Sequence, residues 1–145
     1  MYFVDREKIE QTLLYIEENI TLYQEHASWN SSIEKKALER VAVAIIEGIL
    51  DVGNAMIDGF IMRDPGSYED IIDILEDEKV VTGDMAKQLK NLVRLRKTLV
   101  QDYLLIRHEE VEACLAEVQE TVVGFCAAVR IYLENELGPV SAFRN

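Results

Sequence analysis

From Val111 to Tyr132 the apolar residues Val111, Leu115, Val118, Val122, Phe125, Val129 and Tyr132 follow one another at alternating intervals of four and three. That period lays them along one side of an α-helix, and it conflicts with a strand, whose side chains change face at every residue. The same alternation governs the start of the chain, where Ile9, Leu13, Ile16, Ile20 and Tyr23 make one seam, and again Met85, Leu89, Leu92, Arg96, Leu99 and Tyr103. No strand-like run competes with these. The spacing therefore predicts an all-α, up-and-down bundle of about five helices.

Polar punctuation divides the chain. Asp5 is placed to cap the first helix, and the polar stretch His26 to Ser32 interrupts the pattern before Ser31 and Glu34 present a capping-box spacing. The second helix runs to about Arg63, where Asp64-Pro65-Gly66 ends it. Ser67 and Asp70 repeat the cap spacing before a short acidic helix through about Asp77. Thr82-Gly83-Asp84 then announces a fourth helix reaching Tyr103 to Ile106, and Gly138-Pro139 stops the fifth. With 145 residues, 49% of them hydrophobic, the chain holds one core and reads as a single domain over 1–145.

Charge and motif content exclude several classes of function. Fifteen Lys and Arg stand against 27 Asp and Glu, a formal net charge of −12, which repels nucleic acid except where cations gather. They gather between Met85 and Gln101, where Lys87, Lys90, Arg94, Arg96 and Lys97 occur without an acid. Such a helix either faces an acidic surface of its own protein or binds phosphate. The longest uncharged apolar stretch, Thr121 to Val129, has nine residues, about half a bilayer span, so no membrane segment is expected. MYFVDREK meets charge at its fifth residue, which points to a cytoplasmic protein. Cys114 and Cys126 lie in an apolar stretch without Cys-x-x-Cys spacing and read as buried thiols. Neither His26 nor His108 has a Glu three residues earlier, so the di-metal bundle site fails. The acids Glu69, Asp70, Asp73, Glu76 and Asp77 offer a Mg²⁺ site or, more simply, a solvated face. No metal and no cofactor is expected.

Two polar features stand out on helical wheels. Lys36, Arg40, Glu47, Asp51, Asn54 and Asp58 fall within about 40° of Glu47 at about 100° per residue, and the rest of Val41 to Met62 is apolar or glycine. Such a helix is either central in its bundle or shared with a partner chain; with Gly48, Gly53 and Gly59 permitting close approach, it reads as a homodimer signal. Its polar stripe either faces solvent or lines a cleft. Arg96 sits in the core seam of the fourth helix, where a permanent charge demands a partner. Glu47, Asp51 and Asn54 are the candidates, unless Arg96 awaits an anion.

The stretch RLRKTLVQDY, Arg94 to Tyr103, resembles the signature of the HEPN superfamily, specifically its HepT-like toxins, through Arg96, Leu99, Val100 and Tyr103. EGILDVGNAMI, Glu47 to Ile57, is similar to that family's second helix. The resemblance implies a homodimer whose interface cleft cuts RNA without metal, Arg96 neutralising the transition state while a His moves the proton. It also implies a minimal nucleotidyltransferase antitoxin as partner, with Tyr103 as the residue that it adenylylates. Glu47, Asp51, Asn54 and Lys97 would line the cleft. The family's His position is held by Gln101 and its usual Asn by Lys97. Glutamine cannot titrate near neutral pH, so ribonuclease activity is in doubt, and a non-catalytic homodimeric module that binds the nucleotidyltransferase or a nucleotide is the alternative. On a straight helix Gln101 lies about 140° from Arg96, so the two converge only through a kink or a second subunit. His108 falls outside the motif's spacing and reads as an exposed helix-end residue.

Overall fold

The computed structural model describes residues 4–138, which form five α-helices: α1 (Arg6–Glu25), α2 (Ser32–Gly59), α3 (Tyr68–Asp77), α4 (Gly83–Arg96) and α5 (His108–Leu137). A π-turn (Lys97–Gln101) and a 3₁₀ turn (Tyr103–Leu105) join α4 to α5. The caps sit where the sequence places them. The Asp5 carboxylate accepts from the Lys8 N–H, the Ser31 and Glu34 side chains satisfy each other's backbone N–H groups, and the Ser67 and Thr82 hydroxyls accept from Asp70 and Met85. Each removes one orphan donor from a helix start, a stabilisation of about 1 kcal/mol apiece. At the far end Gly138 takes φ 81°, a left-handed turn that glycine adopts without penalty, and its carbonyl accepts from Arg6 Nη1 at 2.7 Å. Pro139, the second half of the expected stop, lies outside the described residues.

The seams pack as their periods require. Ile9, Leu13, Ile16 and Ile20 of α1 and Val111, Leu115, Val118, Val122, Phe125 and Val129 of α5 are all at or below 3% exposure. Arg130 of α5 then clamps α1 by bonding both Glu10 and Glu17 at 2.8 Å. Cys126 is buried and Cys114, expected buried too, is only partly so; burial pushes the Cys126 thiol up to about 12 and that of Cys114 up to about 11, which disfavours the thiolate.

Three expectations need correction. First, α2 stops at Gly59 rather than near Arg63: the Met62 N–H reaches back to the Ile57 carbonyl at 2.9 Å across Ile61, which takes φ 56°. This is a Schellman-type end built without glycine. Second, α2 is the central helix, touched by α1, α3, α4 and α5 alike. The apolar girth from Val41 to Ile57 is thus covered within one chain and gives no signal of a second copy. Gly48 lets α1 approach, since a Cβ there would lie 2.6 Å from Ile16 Cγ1, and Gly53 does the same for α3, with Ile71 Cγ2 at 2.5 Å. Third, α4 does not continue as an α-helix to Tyr103. It ends at Arg96 and widens, so Leu99 stays buried while Tyr103, assigned to the same seam, turns outward at 64% exposure.

Candidate functional site

Most of the cations of α4 are used internally. Lys90 bonds Asp73 at 2.8 Å and Arg94 bonds Glu69 at 2.9 Å, while Arg63 within the α2–α3 connection bonds Asp70 at 2.8 Å. Glu69, Asp70 and Asp73 of α3 are thereby paired with neighbouring cations, which favours the internal reading for this part of the basic stretch. The Arg63 guanidinium, with the Gly66 N–H, holds the Asp70 carboxyl down to about 2. Lys87 and Lys97 remain exposed, Lys97 with its ammonium 4.0 Å from Asp102.

Arg96 is placed differently. The last residue of α4, it is turned inward by the seam until its Nε donates to Glu47 Oε1 of α2 at 2.5 Å. Its guanidinium carbon lies 4.4 Å from the centroid of the Tyr68 ring, a cation–π contact with the first residue of α3. The hydrogen bond that Arg96 donates to Glu47 raises the Arg96 pKa, opposed by desolvation and reinforced by the Glu47 charge and by Tyr68. The side chain is only 19% exposed, yet among the described residues its Nη1 and Nη2 have no hydrogen-bond partner. With one edge and one face engaged, the guanidinium is oriented and still has two terminal donors for an anion.

Immediately beyond, the Asp102 N–H reaches the Lys97 carbonyl at 3.0 Å, a bond over five residues instead of four. A turn closed in this way advances each residue by less than the roughly 100° of an α-helix, so Gln101 swings back toward the side of Arg96. This supplies the departure from a straight helix that their separation requires. Gln101 is exposed, however, and makes no hydrogen bond to Arg96. On either side of it, Val100, Tyr103, Leu104 and Leu105 are exposed by 41, 64, 89 and 72%.

Among the residues singled out by sequence, the fold joins Arg96 to Glu47, which shares a cavity wall with Asp51, and brings no other of them onto Arg96. Asp51 and Asn54 line a groove between α2 and α1, where cavities of about 340 and 250 Å³ open against Lys8 and Thr12 of α1. Glu47 borders the larger one. His108 corrects the expectation of an exposed histidine: it starts α5 at 24% side-chain exposure, with Nε2 2.7 Å from Glu39 Oε2. Glu39 and Glu47 are eight residues apart, about 12 Å along the α2 axis, so within one chain His108 serves a different place from Arg96. Tyr68 was missed from sequence. Its only local mark is the Ser67 cap before it, and its contact with Arg96 spans two helices.

A model of the family described as Ribonuclease HepT-like matches residues 8–129. YutE of Bacillus subtilis (strain 168), named as a candidate RNase, is 54% identical over 144 residues, covering 99% of this chain and 100% of YutE. The solved structure of the cytosolic protein YutE from Bacillus subtilis superposes with a TM-score of 0.95 over the same shares, 99% and 100%. A tri-AMPylated HEPN toxin of Shewanella oneidensis, solved in complex with its MNT antitoxin, gives a TM-score of 0.76 at 18% identity, covering 85% of this chain and 96% of the toxin. At that identity the likeness is one of fold. No described helix is long and apolar enough to cross a membrane.

Proposed function

We propose, since this chain belongs to the HepT-like ribonuclease family, that it is the toxin-type member of a toxin–antitoxin pair, a homodimer that takes an RNA phosphate at Arg96 and is silenced by modification of Tyr103. The observation that carries this is the state of Arg96: oriented by Glu47 and Tyr68, with two terminal donors still unengaged, beside a turn that exposes Tyr103. The exposed run Val100, Tyr103, Leu104 and Leu105 supports a second copy as its cover, since contiguous apolar surface of this kind marks interaction sites. Two copies joined there would bring two Arg96 side chains toward one cleft.

In metal-independent cleavage the ribose 2′-oxygen attacks the adjacent phosphorus, its proton passes to a base, and the 5′-oxygen leaves with a proton from an acid. Arg96 suits the charge that grows on the phosphoryl oxygens. Nothing at Gln101 can move the proton, and one positioned acid–base group is worth roughly 10²- to 10⁴-fold. RNA affinity therefore separates from RNA cleavage, and the protein as it stands is a weak nuclease. Gln101→His is expected to raise EDTA-resistant cleavage of an unpaired RNA, with Arg96→Ala abolishing the gain. Robust cleavage by the unmutated chain that is lost on His108→Ala would place the base at the His108–Glu39 pair instead.

Gln101 also favours a second reading, the non-catalytic homodimeric module that binds a minimal nucleotidyltransferase. Incubation with ATP and a cognate minimal nucleotidyltransferase separates partner from bystander: one or more AMP mass increments on Tyr103 are expected, and an unmodified Tyr103 would refute the silencing step.

A further inference from the structure

The Tyr68 ring has two unlike surroundings. The Arg96 guanidinium stands 4.4 Å from its centroid, while half the residue, 50%, is open to solvent. Its hydroxyl has no hydrogen-bond partner among the described residues. The backbone beneath it is fixed on both sides. Ser67 Oγ accepts from the Asp70 N–H at 3.0 Å, Asp70 in turn accepts from the Gly66 N–H at 2.8 Å, and Glu69, the next residue, is bonded by Arg94 at 2.9 Å. The two carboxylates flanking the site, Glu47 and Glu69, are each neutralised by an arginine. A held aromatic ring beside a cation with two unengaged donors is the pairing by which unpaired nucleic acid is bound: phosphate on the guanidinium, base against the ring.

We propose that Tyr68 is a stacking platform for one unpaired nucleobase of the RNA strand whose phosphate Arg96 takes, so that this site selects single-stranded over duplex RNA. The inference rests on the assignment of RNA phosphate to Arg96 made above. It adds a base-binding position on α3, and it gives the selection a physical cause, since a base inside a duplex is already stacked on both faces and cannot lie on the ring.

The test uses the full chain and a short unpaired oligoribonucleotide carrying 2-aminopurine, whose fluorescence falls on stacking, titrated over a range of salt concentrations. Wild type and Tyr68→Phe are expected to quench the probe. Tyr68→Leu is expected to lose the quench and to bind about 5- to 100-fold more weakly, by the same factor at every salt concentration, because it removes a stack while Glu47 still holds the Arg96 guanidinium. Arg96→Gln is expected instead to flatten the salt dependence. Circular dichroism of Tyr68→Leu at the wild-type melting temperature guards against misfolding. Unaltered quenching in Tyr68→Leu, a Tyr68→Leu defect that follows the salt slope as Arg96→Gln does, or equal competition by duplex RNA would each overturn the platform while leaving the phosphate assignment intact. Failure of the wild type to bind the oligonucleotide at all would remove the phosphate assignment, and the platform with it.

Discussion

At the scale of single residues, Glu34 and Asp70, with Glu17 held below its usual range by its hydrogen bond from Arg130, make the fold sensitive to acid. Glu34 is held down to about 2 by the Ser31 N–H, His26 and the Ser31 hydroxyl, and Asp70 to about 2 by Arg63 and the Gly66 N–H. A depressed folded-state pKa contributes stability that is complete above the unfolded values of 4.5 and 3.8 and is lost as pH falls toward 2. Melting temperature followed from pH 7 downward is thus expected to fall most steeply between about 4.5 and 2, and Glu34→Gln with Asp70→Asn to flatten that limb while lowering the neutral plateau. Both residues were legible in sequence as cap partners, because a cap is a local device fixed by a three-residue spacing. The Arg96–Glu47 pair was legible in part, since a cation in a core seam requires a partner, and the wheel narrowed the choice to three residues on one stripe. Tyr68 was not legible, because nothing in an isolated helix start tells which neighbouring helix will lay a guanidinium on the first residue.

Among elements, the capped starts of α1 to α4 were readable, as were the ends of α3 at Asp77 and of α5 before Gly138, while the ends of α2 and α4 were not. Ile61 and Lys79 occupy left-handed backbone at φ 56° and 62°, each just after a helix, where glycine is the usual residue. A β-branched residue there strains the chain by about 1–2 kcal/mol, and Ile61, 76% exposed, offsets little of this by burial. Ile61→Gly is expected to raise stability by about 1 kcal/mol in urea titration, with an unchanged m-value. The end of α2 was misplaced by four residues because the Asp64-Pro65-Gly66 signal is loud and an isoleucine in a glycine position is silent. The widening after Arg96 was equally hidden. Leu99 keeps the α4 seam through the π-turn, so the apolar pattern runs on after the α-helix has stopped.

For the molecule as a whole, α2 shows how one pattern admits two causes. A helix apolar around most of its girth looks alike whether a partner or its own bundle covers it, and here α1, α3, α4 and α5 do so. Gly53→Ala is accordingly expected to destabilise the monomer fold by about 1–3 kcal/mol through the clash with Ile71, with no change in oligomeric state. The homodimer is expected to depend on the connection after α4. Leu104→Glu with Leu105→Glu should convert the assembly to a 16.6 kDa species in light scattering, with helix content retained. A wild-type protein that already scatters as 16.6 kDa would refute the homodimer itself.

The five-residue bond from Asp102 to Lys97 also divides the motif in time. Up to Arg96 the amides belong to a helix whose Leu89, Leu92 and Val93 are sealed in the core; from Val100 to Leu105 every side chain is exposed. Protection from deuterium exchange should therefore drop in one step across the π-turn, with the upstream amides opening only when the whole bundle opens and the downstream amides opening locally. The end of the motif that carries Tyr103 is thus expected to open many times within the lifetime of a single folded molecule, while the end that carries Arg96 keeps its place.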